Sequence, residues 1–179
     1  MDTIAEFYDL ETKRLWLKGI SYEDREFIVR EFSDDEVNRF LFDAEPITTL
    51  DAADEIIAFY LAPEPRNQHR WILIRKEDGA KLGTCGFHVW DRERSRCEMG
   101  YDLLPEHWSQ GYMSEAVRAI LDYACTTMQV RRIDAYIYPE NSASVRLAER
   151  LGFVFRGETK DELFRGKTYP HRIYTLLLP

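Results

Sequence analysis

The chain has 179 residues, 45% hydrophobic and 31% charged, which is typical of a globular protein with one sizeable core. Its formal net charge of −8 argues against nucleic acid as a partner, because neutralising phosphates takes a basic surface. The longest apolar run, residues 56–62, is far shorter than the roughly 18 residues of a membrane span, so no membrane partner is expected.

The amino terminus and the cysteines indicate a protein that stays where it is made. MDTIAEFYDLETKR lacks the basic start and apolar middle of a signal peptide, so a cytoplasmic location is expected. Cys85, Cys97 and Cys125 are odd in number and lack CxxC spacing, which favours reduced core thiols. Cys85 and His88 point to opposite faces of a predicted strand, and no metal site is expected.

The first third of the chain predicts one strand and three helices. RLWLKGI at residues 14–20 has the pattern of a strand, and polar-faced helices follow around residues 22–31 and 34–40, the second with Ser33 as its cap. A third helix is predicted over residues 49–61. It ends at APEPRN, where two prolines remove backbone donors.

Three β-rich runs come next and predict an antiparallel meander. They are RWILIRK, KLGTCGFHVWD and RCEMGYDLL, divided by the turns EDGA and DRERS. Strand alternation in the last run separates two sets of side chains. One face carries Cys97, Met99, Tyr101 and Leu103, and the other carries Glu98, Gly100 and Asp102.

The stretch LPEHWSQGYMSEAVRAILDYA begins as a loop, turns at Gly111 and becomes an amphipathic helix. The first turn of such a helix exposes backbone N–H groups without partners and carries the positive end of the helix dipole, so it suits a bound anion. Alternatively, Gly111 only relieves backbone strain between a strand and a helix. The stretch alone leaves both interpretations open.

The rest of the chain completes an α/β (α+β) pattern. RRIDAYIY predicts a strand, residues 142–151 a helix that ends at Gly152, and residues 153–160 and 171–178 two more strands with a charged excursion at 161–169. No repeat or linker divides the sequence, so a single domain over residues 1–179 is expected. It would hold a mixed, mostly antiparallel sheet of about seven strands flanked by helices.

The motifs WSQGYMSEA and NSASVRLAERLGF, with a predicted strand between them, resemble the GCN5-related N-acetyltransferases, the GNAT superfamily. LETKRLWLKGI, CEMGYDLLPEHW and GKTYPHRIYTLLL strengthen the resemblance, which is closest to the RimJ/RimL branch of ribosomal-protein N-terminal acetyltransferases and covers nearly the whole chain. It implies an acetyl-CoA-dependent N-acetyltransferase. It also implies a sheet splayed between the fourth and fifth strands.

By this resemblance, a loop binds the pyrophosphate of acetyl-CoA on successive backbone N–H groups. The loop residues are Trp108, Ser109, Gln110, Gly111, Tyr112, Met113 and Ser114. The family usually has Gln or Arg in place of Trp108 and Gly or Ala in place of Met113, which puts one side-chain contact in doubt. The sequence has neither the GxGxxG motif of dinucleotide-binding folds nor the Gly-Lys-Ser/Thr ending of a Walker phosphate loop, so no other phosphate-binding motif is offered.

The resemblance further implies that unpaired backbone groups near Leu103 and Leu104 bind the pantetheine arm as an added strand would, with one amide polarising the thioester carbonyl. Asn141 is expected to bind a pantetheine amide. As a helix cap alone, Asn141 would give the same pattern.

Two catalytic candidates follow from the family pattern. Glu98 resembles the family glutamate that removes a proton from the amine, although a solvated carboxylate or an arginine partner is the alternative. Ala148 stands where many relatives have a tyrosine, and Ser144 resembles the serine that serves the departing thiolate in the RimL branch. Alternatively, the Ser144 hydroxyl only supports the start of the helix. Since no cysteine accompanies a base, direct transfer in a ternary complex is expected.

The acceptor is expected to be the N-terminal α-amine of a protein or peptide. The acidic charge also fits a polyamine or an aminoglycoside, and a non-catalytic acyl-CoA-binding module is a further alternative. The helices within residues 21–61 and the segment 161–169 would flank the acceptor groove. There Asp54, Glu55, Asp161 and Glu162 attract an amine or are simply solvated. The protein is expected to be a monomer or a homodimer.

Overall fold

A computed structural model describes residues 7–179 and is organised around one eight-stranded sheet, in the order β1-β2-β3-β4-β5-β6-β8-β7. The strands are β1 Leu10–Glu11, β2 Leu15–Gly19, β3 His69–Arg75, β4 Lys81–Asp91, β5 Arg96–Leu103, β6 Arg132–Ile137, β7 Val154–Phe164 and β8 Lys167–Leu177. The seven predicted strands are present, and the short β1 adds one at the edge. Residues 1–6, part of the stretch behind the localisation argument, lie outside the described residues.

The helices agree with the sequence except at their ends. They are α1 Arg25–Ser33, α2 Asp35–Asn38, α3 Leu50–Tyr60, α4 Tyr112–Thr126 and α5 Ser142–Arg150. The prediction that Ser33 caps the second helix was wrong, because Ser33 is still helical. Asp34 has extended backbone angles, and its carboxylate accepts from the amides of Glu36 and Val37 at 2.9 and 3.0 Å. Within residues 7–179, no helix is long and apolar enough to span a membrane.

Strand alternation divides the buried side chains between two cores. On one side, called the α4 face, Trp71, Leu73 and Phe87 of the sheet pack with the apolar stripe of α4. On the other, the α1–α3 face, Ile72 packs with residues of α1 and α3, including Ile28. Each large apolar side chain buried in this way contributes about 1.5–3 kcal/mol. Both faces of the sheet are therefore covered.

The cysteines are distributed unevenly between core and surface. Cys85 and Cys97 are buried in the core of the α4 face, as expected. Cys125 is half-buried near the end of α4, with its Sγ 3.9 Å from the carbonyl oxygen of Pro179. The expectation of a core thiol is therefore met at the first two positions and not at Cys125.

The sheet opens between β5 and β6. Their parallel pairing joins Arg96 to Arg132, Cys97 to Ile133 and Glu98 to Asp134, and it ends there. Beyond Glu98, β5 stays paired with β4 as far as Leu103, whereas β6 stays paired with β8. The resulting gap is called the wedge. Because β1 adds one strand to those predicted, β5 and β6 are the fourth and fifth predicted strands, and the predicted splay between them is confirmed.

The charged segment 161–169 is not the excursion that the sequence predicted. It belongs to a long hairpin in which Asp161 pairs with Pro170 and Glu162 with Tyr169, closed by Arg165 and Gly166 at φ values of 49° and 75°. β7 lies at the edge of the sheet and is exposed along most of its length, so it needs no apolar alternation. Without that alternation, the sequence pattern predicts the strand over residues 153–160 but not its continuation through residue 164.

Candidate active site

The loop between β5 and α4 presents a row of backbone amides. Ser109 and Gly111 have left-handed φ values of 59° and 80°, which turn the chain sharply into the helix. Within the part of the chain that the structure describes, the amides of residues 109–114 make no hydrogen bond, whereas that of Glu115 donates to Gly111 O at 3.0 Å. With the positive end of the α4 dipole behind them, these amides suit a diphosphate.

A clip of hydrogen bonds holds this loop against the sheet. The Glu115 carboxylate accepts from Thr12 Oγ1 at 2.6 Å, from the Arg14 amide at 2.7 Å and from Arg14 Nε at 2.6 Å. Arg14 Nη1 in turn donates to the carbonyl oxygen of Gln110 at 2.9 Å. Burial raises the pKa of Glu115, but the bonds from Thr12 and Arg14 outweigh it, and the net pKa is lowered. Sequence reasoning missed this clip.

The two unusual loop residues leave the row of amides open. Met113 is only 7% exposed and lies in the core of the α4 face. Trp108 is half-exposed, and its indole N–H donates to the carbonyl oxygen of Leu103 at 2.7 Å. Both changes from the family pattern are therefore accommodated away from the amides.

Leu103 and Leu104 face different directions. The Leu104 amide donates to Leu82 O at 2.9 Å, and its side chain is buried on the α1–α3 face. Because hydrogen-bonded pairs alternate along antiparallel strands, the backbone groups of Leu103 and Tyr101 point away from β4 and into the wedge. The Leu103 carbonyl is engaged by Trp108. Of the two residues, the structure places only Leu103 along the wedge.

Ser144 and Asn141 meet at the start of α5. Asn141 caps the helix, accepting from the Ser144 amide on Oδ1 at 3.2 Å. The Ser144 hydroxyl lies 2.8 Å from the Tyr101 hydroxyl and so connects α5 to β5. Burial raises the pKa of Tyr101 to about 12, although the hydrogen bond with Ser144 acts in the opposite direction. Tyr101 was assigned to this face by alternation, but its contact with Ser144 was missed.

Glu98 lies on the opposite face and has two partners. One carboxylate oxygen is 3.2 Å from His88 Nε2, and the other accepts from the Tyr136 hydroxyl at 3.1 Å. Burial raises the pKa of Glu98, but the hydrogen bonds with His88 and Tyr136 and the nearby positive charges outweigh it, so the net pKa is lowered. Glu98 is therefore neither a freely solvated carboxylate nor an arginine partner.

The sequence positions Glu98 and Tyr101 are three apart on one strand, so they stand on opposite faces of the sheet. Carboxylate and imidazole lie on the α1–α3 face, and the Tyr101–Ser144 hydroxyl pair lies on the α4 face. The wedge opens between them. This arrangement can accept a proton on one side of a bound group and supply a proton on the other.

Comparison with known proteins identifies the architecture. Residues 14–154 match the sequence model of the acetyltransferase (GNAT) domain. The chain belongs to the GNAT acetyltransferase family. It is 35% identical over 170 residues to an uncharacterized N-acetyltransferase, p20, of Bacillus licheniformis, covering 94% of this chain and 95% of that protein. It is 32% identical over 172 residues to the uncharacterized N-acetyltransferase YoaA of Bacillus subtilis, covering 95% and 97%.

A solved structure with the same fold carries ligands. The spermidine N-acetyltransferase of Vibrio cholerae, in complex with CoA and spermine, superposes with a TM-score of 0.80 at 20% identity, covering 92% of this chain and 95% of that one. The family and the fold make this GNAT protein an acetyl-CoA-dependent acyltransferase. The free amides at residues 109–114 fit the diphosphate of that co-substrate.

A buried network of charges lies beside the GNAT wedge on the α1–α3 face. Arg70 pairs with Asp102 at 2.5 Å and donates to Thr84 Oγ1 at 2.8 Å, and Thr84 donates to one oxygen of Glu31 at 3.1 Å. The other Glu31 oxygen, Oε1, is buried without a partner among the described residues. Burial and the Asp102 charge raise the pKa of Glu31 well above its usual range, and burial also raises that of Asp102.

The other acidic side chains that the sequence suggested as amine-attracting groups differ in their surroundings. Asp54 pairs with Arg25 at 2.6 Å and Glu162 with Lys160 at 3.1 Å, whereas Glu55 and Asp161 are exposed. Within residues 7–179, no group of three or more His, Cys, Asp and Glu side chains could hold a metal ion.

Proposed function

We propose that this GNAT acetyltransferase acetylates the N-terminal α-amine of a protein or peptide by direct transfer in a ternary complex. The observation that carries the proposal is the row of unbonded amides at residues 109–114, which follows directly on the strand that borders the wedge and bears Glu98. A diphosphate on those amides would direct the rest of the molecule along β5. Acetyl-CoA supplies an activated acyl group, and the chain supplies positioning and proton transfer.

The wedge residues have defined parts in this proposal. The backbone of Tyr101 and the amide of Leu103 would pair with the pantetheine arm as an added strand does, and the Asn141 side-chain NH₂ can donate to one of its amides. Ser144 holds a hydroxyl proton beside the wedge, where it would protonate the departing sulfur. Glu98, on the other face, belongs to the side on which the amine loses its proton.

The cysteines support direct transfer without an acyl-enzyme. Burial raises the pKa of Cys85 to about 12 and also raises that of Cys97, so both thiols stay protonated and unreactive. Both pack in the core of the α4 face. The described residues therefore offer no activated thiol at the wedge.

Two properties of the acceptor side favour an α-amine. The groups on this face that could take a proton, a carboxylate at Glu98 and an imidazole at His88, are both weak bases as side-chain types, which suits an ammonium that gives up its proton easily. An α-amine has a pKa of roughly 7.7–8.0, whereas a lysine-type amine lies near 10.4. The ring of Phe42 also stacks on that of Tyr169, with the ring centroids 3.8 Å apart, and packs edge-on against Tyr138. These three rings would form an apolar surface for a peptide side chain.

A polyamine is the second candidate. The Vibrio cholerae spermidine N-acetyltransferase shares the fold and was solved with spermine. An alkylammonium, with a pKa of about 10.4, would need a stronger base than a carboxylate or an imidazole provides.

An acceptor panel tests the proposal. Purified protein is incubated with acetyl-CoA and with ribosomal proteins, short peptides with free N-termini, spermidine and an aminoglycoside, while CoA release and product mass are followed. We expect acetylation of peptide α-amines and of ribosomal proteins of the kind that RimJ/RimL enzymes modify. A peptide with a blocked N-terminus and a free lysine is the matched control and should stay unmodified.

The outcomes separate the alternatives. Turnover confined to spermidine would replace the protein acceptor with a polyamine. CoA binding without turnover on any amine would contradict the α-amine proposal and favour a module that only binds acyl-CoA. Failure to bind CoA at all would remove the anion site at residues 109–114.

A further inference from the structure

His88 lies beside Glu98, on the face of the sheet where the proposed function has the amine lose its proton. It pairs across the β4–β5 ladder with Glu98, so the two side chains share the α1–α3 face. His88 Nε2 is 3.2 Å from one Glu98 oxygen, while Tyr136 donates to the other oxygen at 3.1 Å. The carboxylate is thereby held between an imidazole and a phenol at the last residue where β5 pairs with β6.

Gly100 gives the imidazole its place beside the wedge. A Cβ at Gly100 would lie 3.7 Å from His88 Cε1 and 3.8 Å from Arg70 Nη1, so the ring lies over the first part of β5 beyond its pairing with β6. These are ordinary contact distances. The glycine therefore leaves the space of a small group between the ring, the guanidinium and the strand.

We propose that His88 accepts the proton of the acceptor ammonium and that Glu98 is a positioning residue that orients the ring. The inference rests on the proposed acetyl transfer. With Nε2–H directed at Glu98, a neutral imidazole has its lone pair at Nδ1, an atom without a hydrogen-bond partner among residues 7–179. Imidazole changes charge closer to neutral pH than any other unperturbed side chain, so it suits this proton better than Glu98 does.

The proton balance is simple. The ammonium proton moves to Nδ1 and leaves a neutral amine and an imidazolium, whose positive charge faces the Glu98 carboxylate. Because the His88 side chain is 33% exposed, the imidazolium can pass its proton to water before the next turnover. The Glu98 carboxylate stays ionised, since its pKa is lowered.

Charged and titratable groups reach this pair from each neighbouring strand. β5 contributes Glu98 and β6 contributes Tyr136, whose ring lies under Lys160 Nζ of β7 at 4.9 Å. β3 contributes Arg70, near the same Gly100. Of these groups, Glu98 is the one whose contact with the His88 ring is within hydrogen-bond distance, at 3.2 Å.

The pH dependence of kcat/KM for an α-amine peptide tests the proposal. In the unchanged protein we expect an acidic limb, where protonated His88 is inactive. His88→Gln keeps a side-chain amide for Glu98 but cannot accept the proton, so we expect about 10²-fold or greater loss at pH 6.5 and an acidic limb that now follows the ionisation of the peptide amine itself, roughly 7.7–8.0. The deficit should shrink toward pH 9, where the peptide amine deprotonates unaided.

Glu98→Gln distinguishes positioning from catalysis. It removes the negative charge that stabilises the imidazolium, so the acidic limb should move to lower pH. The loss of kcat/KM should be smaller than in His88→Gln. Glu93→Gln, an exposed carboxylate in the β4–β5 turn, is the matched control and should leave the profile unchanged. CoA binding measured by calorimetry should stay unchanged in all three variants.

The inference can fail independently of the proposed function. If the unchanged protein acetylates the peptide and His88→Gln retains its rate and acidic limb, His88 is not the proton acceptor. If Glu98→Gln abolishes turnover while His88→Gln does not, the carboxylate acts directly. If the unchanged protein has no turnover on any peptide, it is the proposed function that has failed. His88→Asn with intact CoA binding is the second variant that excludes loss of folding.

Discussion

At the scale of single residues, the proposed reaction depends on the hydroxyl pair on the α4 face, which would supply the proton for the departing sulfur. Tyr101 and Ser144 are 2.8 Å apart, and either can donate to the other. Burial raises the pKa of Tyr101 to about 12, so the phenol keeps its proton and can donate it to Ser144 Oγ. In that arrangement the Ser144 hydroxyl proton is free to point into the wedge. If Ser144 donated to Tyr101 instead, that proton would be used in the bond between the two hydroxyl groups.

We predict that Ser144→Ala lowers kcat by about 10²-fold with little effect on the Kd for CoA, because a proton donor acts mainly in the transition state. Tyr101→Phe should lower kcat less, since Ser144 keeps its proton but loses its orientation. Steady-state kinetics and calorimetry measure both effects. Ser142→Ala, an exposed hydroxyl two residues earlier on α5, is the control. An unchanged kcat in Ser144→Ala would remove this residue from the mechanism.

Candidate functional residues could be named from the sequence, but the partners that the structure gives them could not. Glu98 and Ser144 stand at recognisable motif positions, whereas the contacts with His88 and Tyr101 depend on strand register and on the packing of α5 against β5. In the sequence, His88 attracted notice only as a neighbour of Cys85. Its functional interest appears when β4 pairs with β5 and brings it to Glu98.

At the scale of elements, the loop before α4 depends on a contact that is distant in the sequence. Alternation and helical periodicity predicted β5, the loop and α4 correctly. The sequence does not indicate the clip of Glu115 with Thr12 and Arg14. Acidic residues are common in the first turn of a helix because they interact favourably with the helix dipole, so Glu115 does not stand out. The sequence predicts both strands of the β7–β8 hairpin but not their extension through residues 161–169, because an exposed edge strand carries no apolar pattern.

We predict that Glu115→Gln destabilises the protein by about 1–2 kcal/mol, because the charge-assisted bonds to Arg14 are weakened. The Kd for CoA should also rise several-fold, since Arg14 holds the carbonyl of Gln110 in the loop. Thermal unfolding and calorimetry measure the two effects. Asp122→Asn, an exposed carboxylate on the same helix, should change neither. A stable variant with unaltered CoA binding would show that the loop holds its shape without the clip.

At the scale of the whole molecule, the sheet separates two covered faces, and the wedge is an opening between β5 and β6 that both faces border. One face is conventional apolar packing with α4 and α5. The other contains, beside its apolar core, the buried network of Glu31, Thr84, Arg70 and Asp102. Such a network costs stability unless each of its polar atoms has a partner, and Glu31 Oε1 has none among the described residues.

This network makes stability depend on pH in a direction opposite to that of a paired surface carboxylate. The pKa of Glu31 is raised in the folded protein, chiefly by burial and then by Asp102, so the folded state holds this proton more tightly than the unfolded chain does. Where the unfolded state binds fewer protons, the free energy of unfolding falls as pH rises. The loss begins above the ordinary glutamate value of 4.5 and continues up to the folded pKa.

We predict that Glu31→Gln removes much of this decline. The amide keeps an oxygen to accept from Thr84 and is neutral at every pH, so the variant should melt higher than the unchanged protein at pH 8–9 and about equally at pH 4.5. A gain of 1 kcal/mol corresponds to about 2–4 °C in Tm for a chain of this size. Glu55→Gln on the exposed side of α3 is the control and should leave the pH profile as it was. If Glu31→Gln lowers Tm equally at every pH, the buried carboxyl stabilises the fold as an ion, and the direction assigned to its pKa is wrong.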